Sequence, residues 1–328
     1  MTWFEALFGV PEDPARVREQ FRVEGEQLVT PGGRRFGVGR FETPSLGELR
    51  ARGRELGRGG AAEVSHEVVG DVLELHALPE NERALFQAAS QFNCLEFPSP
   101  DCVPEDGITN YAHDLTQGPA CALAAAAAAL HRNYFVPVTA GAARGQSREH
   151  QLDLTRDLAG ALGSPERFFT VRNGYTDADP QRLNALAREI EKRDRDALLQ
   201  TLRIGVQSGV EVTFARRFSP PARQTLVSQA FCSAVSCGYV PGVPREAWAP
   251  LATLVLDAAY EATLWAAVID VAEGRGSGRV WLTFLGGGVF DNDPAWIRAA
   301  LQRAFEAVDG FALDIRVAHF RDLDPRYL

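Results

Sequence analysis

Residues 280–296 limit the possible folds more than any other part of the chain. Residues 280–285 form an apolar run of strand length, ended by Gly286-Gly287-Gly288 and followed by Asn292-Asp293-Pro294. Three glycines in a row bring backbone N–H groups to a surface with no side chain in the way. Asn292 or Asp293 can cap a helix whose first turn holds Pro294, where a missing N–H costs nothing. Strand, glycine turn and helix start, in that order, predict an α/β architecture and a ready site for phosphate. The same letters also spell a tight β-to-α connection with no ligand, and the rest of the chain decides between the two.

The flanking pattern keeps alternating. Residues 68–75 and 84–95 contain apolar stretches of strand character, and a polar loop over 98–118 leads into an alanine-rich helix at 119–134. Leu183, Leu186, Ile190 and Ala197 mark an amphipathic helix capped near Asp179-Pro180, and 203–213 follows as a mixed strand. An apolar segment at 226–239, a helix at 254–271, a helix at 296–308 and a strand at 313–317 complete the series. Alternation of this kind predicts an α/β fold, a mixed or parallel sheet sandwiched between helices in three α/β/α layers. In such sheets ligands sit at the carboxyl ends of the strands, where the glycine loop lies. Residues 1–60 read as an accessory extension. A hairpin is expected over 21–29 and 35–41 around Pro31-Gly32-Gly33, then a helix capped by Thr43-Pro44-Ser45, then a linker at 58–61.

Bulk properties narrow the function. A net charge of −9 argues against extensive binding to nucleic-acid backbones, which needs dense positive charge. Lys192 is the only lysine, so basic charge is almost all arginine. Cys94, Cys102, Cys121, Cys232 and Cys237 form no Cys-x-x-Cys pair, and their odd number in a long chain predicts reduced thiols and no structural zinc. With no basic leader at the N-terminus and no run read as transmembrane, the expectation is a cytoplasmic protein with no membrane partner.

Three stretches in order resemble the macrodomain, the ADP-ribose-binding fold. Gly70-Asp71-Val72 followed by apolar residues is similar to that family's opening strand and turn. Residues 86–93, Phe-Gln-Ala-Ala-Ser-Gln-Phe-Asn, resemble its apolar strand ending in asparagine, with Ser90 in the last asparagine's place and Asn93 three residues on. Residues 258–264, the strand at 280 and Gly286-Gly287-Gly288-Val289-Phe290 resemble its helix, strand and second phosphate loop, with Asp291 replacing a final glycine. The resemblance covers about 64–328, with an insertion at about 136–210, and makes 61–328 one macrodomain-like domain. It implies that Asp71 contacts adenine and that Gln117, Gly118, Ala120 and Cys121 form a first phosphate loop. Gly286, Gly287, Gly288, Val289 and Phe290 would form the second, and Asn93 would lie near the distal ribose. The implied partner is ADP-ribose or an ADP-ribosylated macromolecule, and the implied activity is hydrolysis of ADP-ribosyl linkages. A reader that binds without turnover is the lesser form of the same reading. The paired glutamates that mark poly(ADP-ribose) glycohydrolases are absent after either loop.

Hydrolysis at a ribose C1 needs a positioned water and a base. Asn93, Glu96 and Asp114 are the candidates for that chemistry, the two carboxylates being nearest in sequence to the ligand strands and loops. The rival enzyme is a cysteine hydrolase, in which Cys121 near a helix start is the nucleophile, Gln117 an oxyanion donor and His113 or His131 a base. No cofactor is expected. Asp291 and Asp293 offer a place for Mg²⁺, although capping aspartates that face outward are the commoner case. Against each functional reading stands a plain one: a capped helix start, a solvated loop carboxylate, a buried small thiol. His66, His76, His150 and His319 are expected to form no cluster.

Overall fold

The strand–glycine–helix unit at 280–296 lies inside a seven-stranded mixed sheet. The computed structural model describes residues 1–138, 145–163 and 166–328, and the statements below concern those residues. The sheet strands are β1 (Arg40–Glu42), β2 (Glu63–Val69), β3 (Leu85–Ala89), β4 (Gly205–Glu211), β5 (Leu226–Cys232), β6 (Arg279–Leu282) and β7 (Asp314–Phe320). Their order is β1-β4-β5-β3-β6-β7-β2. From β5 to β2 every pairing is parallel, while β4 pairs antiparallel with both β5 and β1. Five carboxyl ends therefore point the same way.

Side-chain alternation along the strands fixes the three layers. In β5, Ser228 hydrogen-bonds Asp270 and Cys232 meets Thr263, both on the helix Ala249–Ala272. Gln229 points the other way and donates to the Cys121 carbonyl, and Phe231 lies under the Arg132 guanidinium. β4 repeats this: Ser208 reaches Asp270, while Gln207 accepts from Arg132. Helices Ala249–Ala272, Pro294–Ala307 and Leu46–Arg54 thus cover one face, and Val72–His76, Gln117–Ala124 and Ala126–Tyr134 cover the other. The expected three-layer α/β/α architecture is the one observed.

Several boundaries differ from expectation for identifiable reasons. The opening strand ends at Val69, and Asp71 caps the short helix Val72–His76 by accepting from the Leu73 N–H. The alanine helix is two helices because Thr213 inserts into its ladder. The Thr213 N–H donates to the Ala124 carbonyl, and its hydroxyl accepts from Ala126 N–H, so the helix breaks at Ala125. The N-terminal segment makes a three-stranded sheet (Arg22–Glu24, Gln27–Val29, Arg35–Gly37), and β1 then joins the central sheet. Its aromatic residues Trp3, Phe4, Phe8, Phe21 and Phe36 pack in a second core with the alanine helices.

The expectation that no run reaches transmembrane length is also corrected. The helical stretch Arg245–Ala272 is long and apolar enough, by length and composition. It is also buried under neighbouring helices, as the core helix of a large α/β layer is. Within 136–210, residues 139–144 and 164–165 lie outside the described residues. The remainder forms helices Arg156–Ala161, Pro180–Glu191 and Arg195–Thr201, a hairpin (Thr170–Arg172, Tyr175–Asp177) and β4.

Candidate functional site

The carboxyl ends of β2, β3, β5, β6 and β7 open into one cavity of about 1190 Å³. That exceeds the roughly 300–1,000 Å³ usual for a drug-sized ligand, so there is room for a larger one. Several separate stretches of chain line it.

The first is the start of helix Gln117–Ala124. It presses so closely on β3 that a Cβ on Gly118 would overlap the Ala89 carbonyl oxygen and reach 3.2 Å from Glu96 Cγ. Gln117 fastens this contact: its Oε1 accepts from Ala89 N–H at 2.8 Å and its Nε2 donates to Gln87 O at 2.7 Å. The Gln117 amide is therefore spent on β3, whereas the backbone N–H groups of Gln117 and Gly118 donate to nothing among the described residues. Ala120 lines the cavity, but its N–H donates to Thr116 O.

The second is the glycine loop. Tyr260, on the long helix, donates to Thr283 O at 2.7 Å and accepts from Leu285 N–H at 2.9 Å, which fixes where the loop leaves β6. Asn292 closes it, donating from its side chain to Val235 O and from its backbone to Gly286 O. Gly286 has φ +70°, and a Cβ there would stand 2.5 Å from the Asn292 amide and from Ala234. A Cβ on Gly287 would collide with the Tyr327 hydroxyl, while one on Gly288 would meet nothing within 4 Å. The N–H groups of Gly286, Gly288, Val289 and Phe290 have no acceptor among the described residues. Acceptorless N–H groups of neighbouring residues are the kind of donor that anion-binding concavities use.

At one end of the cavity lies Asp71, exposed, with one carboxylate oxygen occupied by the Leu73 cap. Phe320 and Arg321 at the end of β7 line the same cavity, the guanidinium over the ring. Another part of the lining is aromatic: Tyr175, Tyr239 and Phe290 have ring centroids 5.0–5.5 Å apart. Tyr175 donates to Phe97 O at 2.6 Å, and Tyr239 to Pro98 O at 3.3 Å. Burial, and less strongly the nearby Asp114 carboxylate, push both hydroxyls above their ordinary range. Asp114 lines the cavity and accepts from Thr116 N–H.

The other sequence candidates sit elsewhere or are committed. Asn93 is not in the lining. It is buried, accepts from Leu95 N–H and donates to Gln151, so the asparagine expected near a distal ribose holds a loop together. Glu96 borders the cavity from beneath Gly118, with its carboxylate locked on Arg132 at 3.1 and 3.3 Å. Burial pushes the Glu96 carboxyl up to about 7, against the pull of that guanidinium. Cys121 is fully buried and takes a hydrogen bond from Gln117 Nε2, and burial pushes its thiol well above the ordinary value. A nucleophile needs the opposite, so burial counts against the cysteine-hydrolase reading. Asp291 and Asp293 share Arg245, at 3.3 and 3.4 Å, outside the cavity. His66 and His319 are a pair after all, on adjacent strands with ring nitrogens 2.7 Å apart.

Sequence reasoning missed Tyr175 and Tyr239. The Asn173-Gly174 pair was a signal for the first: both residues have positive φ, as a two-residue hairpin turn requires, and the hairpin delivers Tyr175. Tyr239 had none, because only the tertiary fold carries it to the cavity.

No family model matches the chain, and no curated protein matches it. Solved structures share features of its fold. Poly(ADP-ribose) glycohydrolase from Deinococcus radiodurans, in complex with ADP-ribose, is 17% identical with a TM-score of 0.46, over 88% of this chain and 89% of that one. Poly(ADP-ribose) glycohydrolase from Thermomonospora curvata is 16% identical with a TM-score of 0.45, over 98% of this chain and 96% of that one. Likenesses of this depth do not fix function.

Proposed function

We propose that the cavity binds ADP-ribose, or a related nucleoside diphosphate sugar, and hydrolyses its linkage to a macromolecule. One observation carries the reading: two separate sets of acceptorless backbone N–H groups open into the same cavity. One set belongs to a helix start and the other to a glycine loop, and a diphosphate is the common group that satisfies both. Asp71 has an oxygen left to accept from an adenine amino group, beside the Phe320 ring. The aromatic group of Tyr175, Tyr239 and Phe290 gives an apolar wall for the distal ribose. Asp114 is the carboxylate near that wall that is not locked in an ion pair. It would take a proton from the water attacking C1 while the bond to the acceptor oxygen or nitrogen breaks.

Isothermal titration with ADP-ribose, with AMP and NAD as controls, tests binding. Micromolar affinity is expected for ADP-ribose, and the absence of both heat and a thermal shift refutes the assignment. Release of ADP-ribose from a modified protein, compared with the Asp114→Asn variant, tests turnover. Binding retained with turnover lost supports the hydrolase. Binding with no turnover by the wild-type protein leaves the reader.

A further inference from the structure

We propose that the C-terminal turn, residues 324–328, positions the glycine loop, and that a proton taken up by the His66/His319 pair unlocks it. The inference rests on the ligand reading above for its effect on affinity, but not for the lock itself. Tyr327 is buried against the loop: its ring stacks on Phe284 at 3.8 Å and 11°, and its hydroxyl occupies the space beside Gly287. The turn begins at Asp324, whose backbone N–H donates to His319 Nδ1 at 2.9 Å. That bond sets the tautomers. With Nδ1 accepting, neutral His319 carries its hydrogen on Nε2 and donates it to His66 Nδ1, so His66 carries its own on Nε2. Each ring nitrogen in the chain from His66 Nδ1 to Asp324 N–H then has one role.

An added proton has nowhere to go without breaking that chain. On His66 Nδ1 it leaves two hydrogens between the rings, unless His319 moves its own to Nδ1, where it faces the Asp324 N–H. On His319 Nδ1 it meets that N–H directly. Burial already lowers both imidazoles below their ordinary range, and His66 lowers His319 further. The charged neighbours are largely matched among themselves: Arg316 with Glu67 and Asp314, and Arg326 with Asp324. Asp324 is the carboxylate that favours the protonated His319, and the closed tautomer chain works against it. Below the ordinary histidine range the turn should therefore loosen, Tyr327 should leave Gly287, and the loop should lose its backing.

The test uses the full chain at pH 7.5 and pH 5, with the double variant His66→Gln/His319→Gln, which keeps an amide oxygen to accept from the Asp324 N–H and leaves neither position titratable. Hydrogen exchange of the Asp324 and Tyr327 amides, corrected for the intrinsic rate at each pH, reports the turn. ADP-ribose affinity reports the loop. Wild-type protection at these amides should fall several-fold at pH 5, and affinity should fall about tenfold, as loss of one or two hydrogen bonds implies. The variant should show a much smaller change in both. Protection that does not change with pH, or changes equally in the variant, overturns the lock. Protection that falls while a measurable affinity stays constant overturns the positioning role. If no ADP-ribose binds at any pH but protection follows the pair, the ligand reading fails while the lock stands.

Discussion

Gly288→Glu separates a phosphate loop from a mere turn, because the structure leaves room for the side chain. A Cβ at position 288 meets nothing within 4 Å, and Gly288 is not among the residues with positive φ, so the fold has no reason to object. The carboxylate would then stand beside the N–H groups proposed to hold a diphosphate. Two unit charges about 4 Å apart repel by ~1 kcal/mol in water and ~4 kcal/mol near a protein surface. The loop is half open, with Val289 67% exposed, so the weaker figure is the safer floor. Repulsion from two phosphates then costs at least about 2 kcal/mol, roughly a thirtyfold loss of affinity. Titration calorimetry gives the affinity, and urea unfolding gives stability, which should stay within ~0.5 kcal/mol as for an ordinary surface substitution. Gly288→Ala keeps the N–H and adds no charge, so it should bind within about threefold of wild type. Wild-type affinity in Gly288→Glu with an unchanged urea midpoint would refute the reasoning, since the loop would then not touch the phosphates.

Gly118→Ala is the opposite case: its methyl group overlaps the Ala89 carbonyl, so it should destabilise by about 1–3 kcal/mol in urea and weaken ligand binding as well. Glu96→Gln leaves the Arg132 guanidinium buried beside an uncharged amide and should cost about 3 kcal/mol, whereas an unchanged urea midpoint would mean that Glu96 is already protonated at neutral pH. Cys121→Ser should retain turnover, because the residue is buried and a hydroxyl can still accept from Gln117; an inactive but folded variant would restore the thiol mechanism. His76 is buried with its pKa lowered to about 4 by desolvation, so the unfolded chain binds the extra proton first and stability falls as pH drops from about 6.5 toward 4. Glu96, with its pKa raised to about 7, acts in the opposite sense between about 4.5 and 7, so the wild-type profile alone decides nothing. The difference between wild type and His76→Gln isolates the histidine. It should approach 3 kcal/mol at low pH, and a flat difference would count against a neutral buried imidazole.

What the sequence disclosed was local. The glycine loop was legible because strand, turn and helix start are each written in adjacent residues, and the structure holds that unit with Tyr260 and Asn292. The layer architecture was legible for the same reason, repeated along the chain. Several of the failures are long-range. Nothing beside Ala125 announces the helix break, because its cause is Thr213, 88 residues away, donating into the ladder. The helix expected at 254–271 runs over Ala249–Ala272, and the neighbours that bury it come from distant segments.

The site divides along the same line, and this bears on its chemistry. Its proposed binding half is main chain: acceptorless N–H groups at 117–118, at 286 and at 288–290, which glycine and helix-start letters foretell. Its proposed reactive half is side chain, and there proximity in sequence misled for Asn93 and Glu96. Glu96 and Asn93 follow β3 closely, yet Arg132 and Gln151 claim them. Tyr175, Tyr239 and Asp114 meet at the cavity from three distant segments. A carboxylate held by a buried guanidinium is a poor proton acceptor unless the pair is broken, and breaking it costs several kcal/mol. Asp114 carries no such debt, since its hydrogen bond to Thr116 N–H uses only one oxygen. Of the candidates Asn93, Glu96 and Asp114, the proposed catalytic role therefore narrows to Asp114, which lines the cavity and keeps a carboxylate oxygen unspent among the described residues.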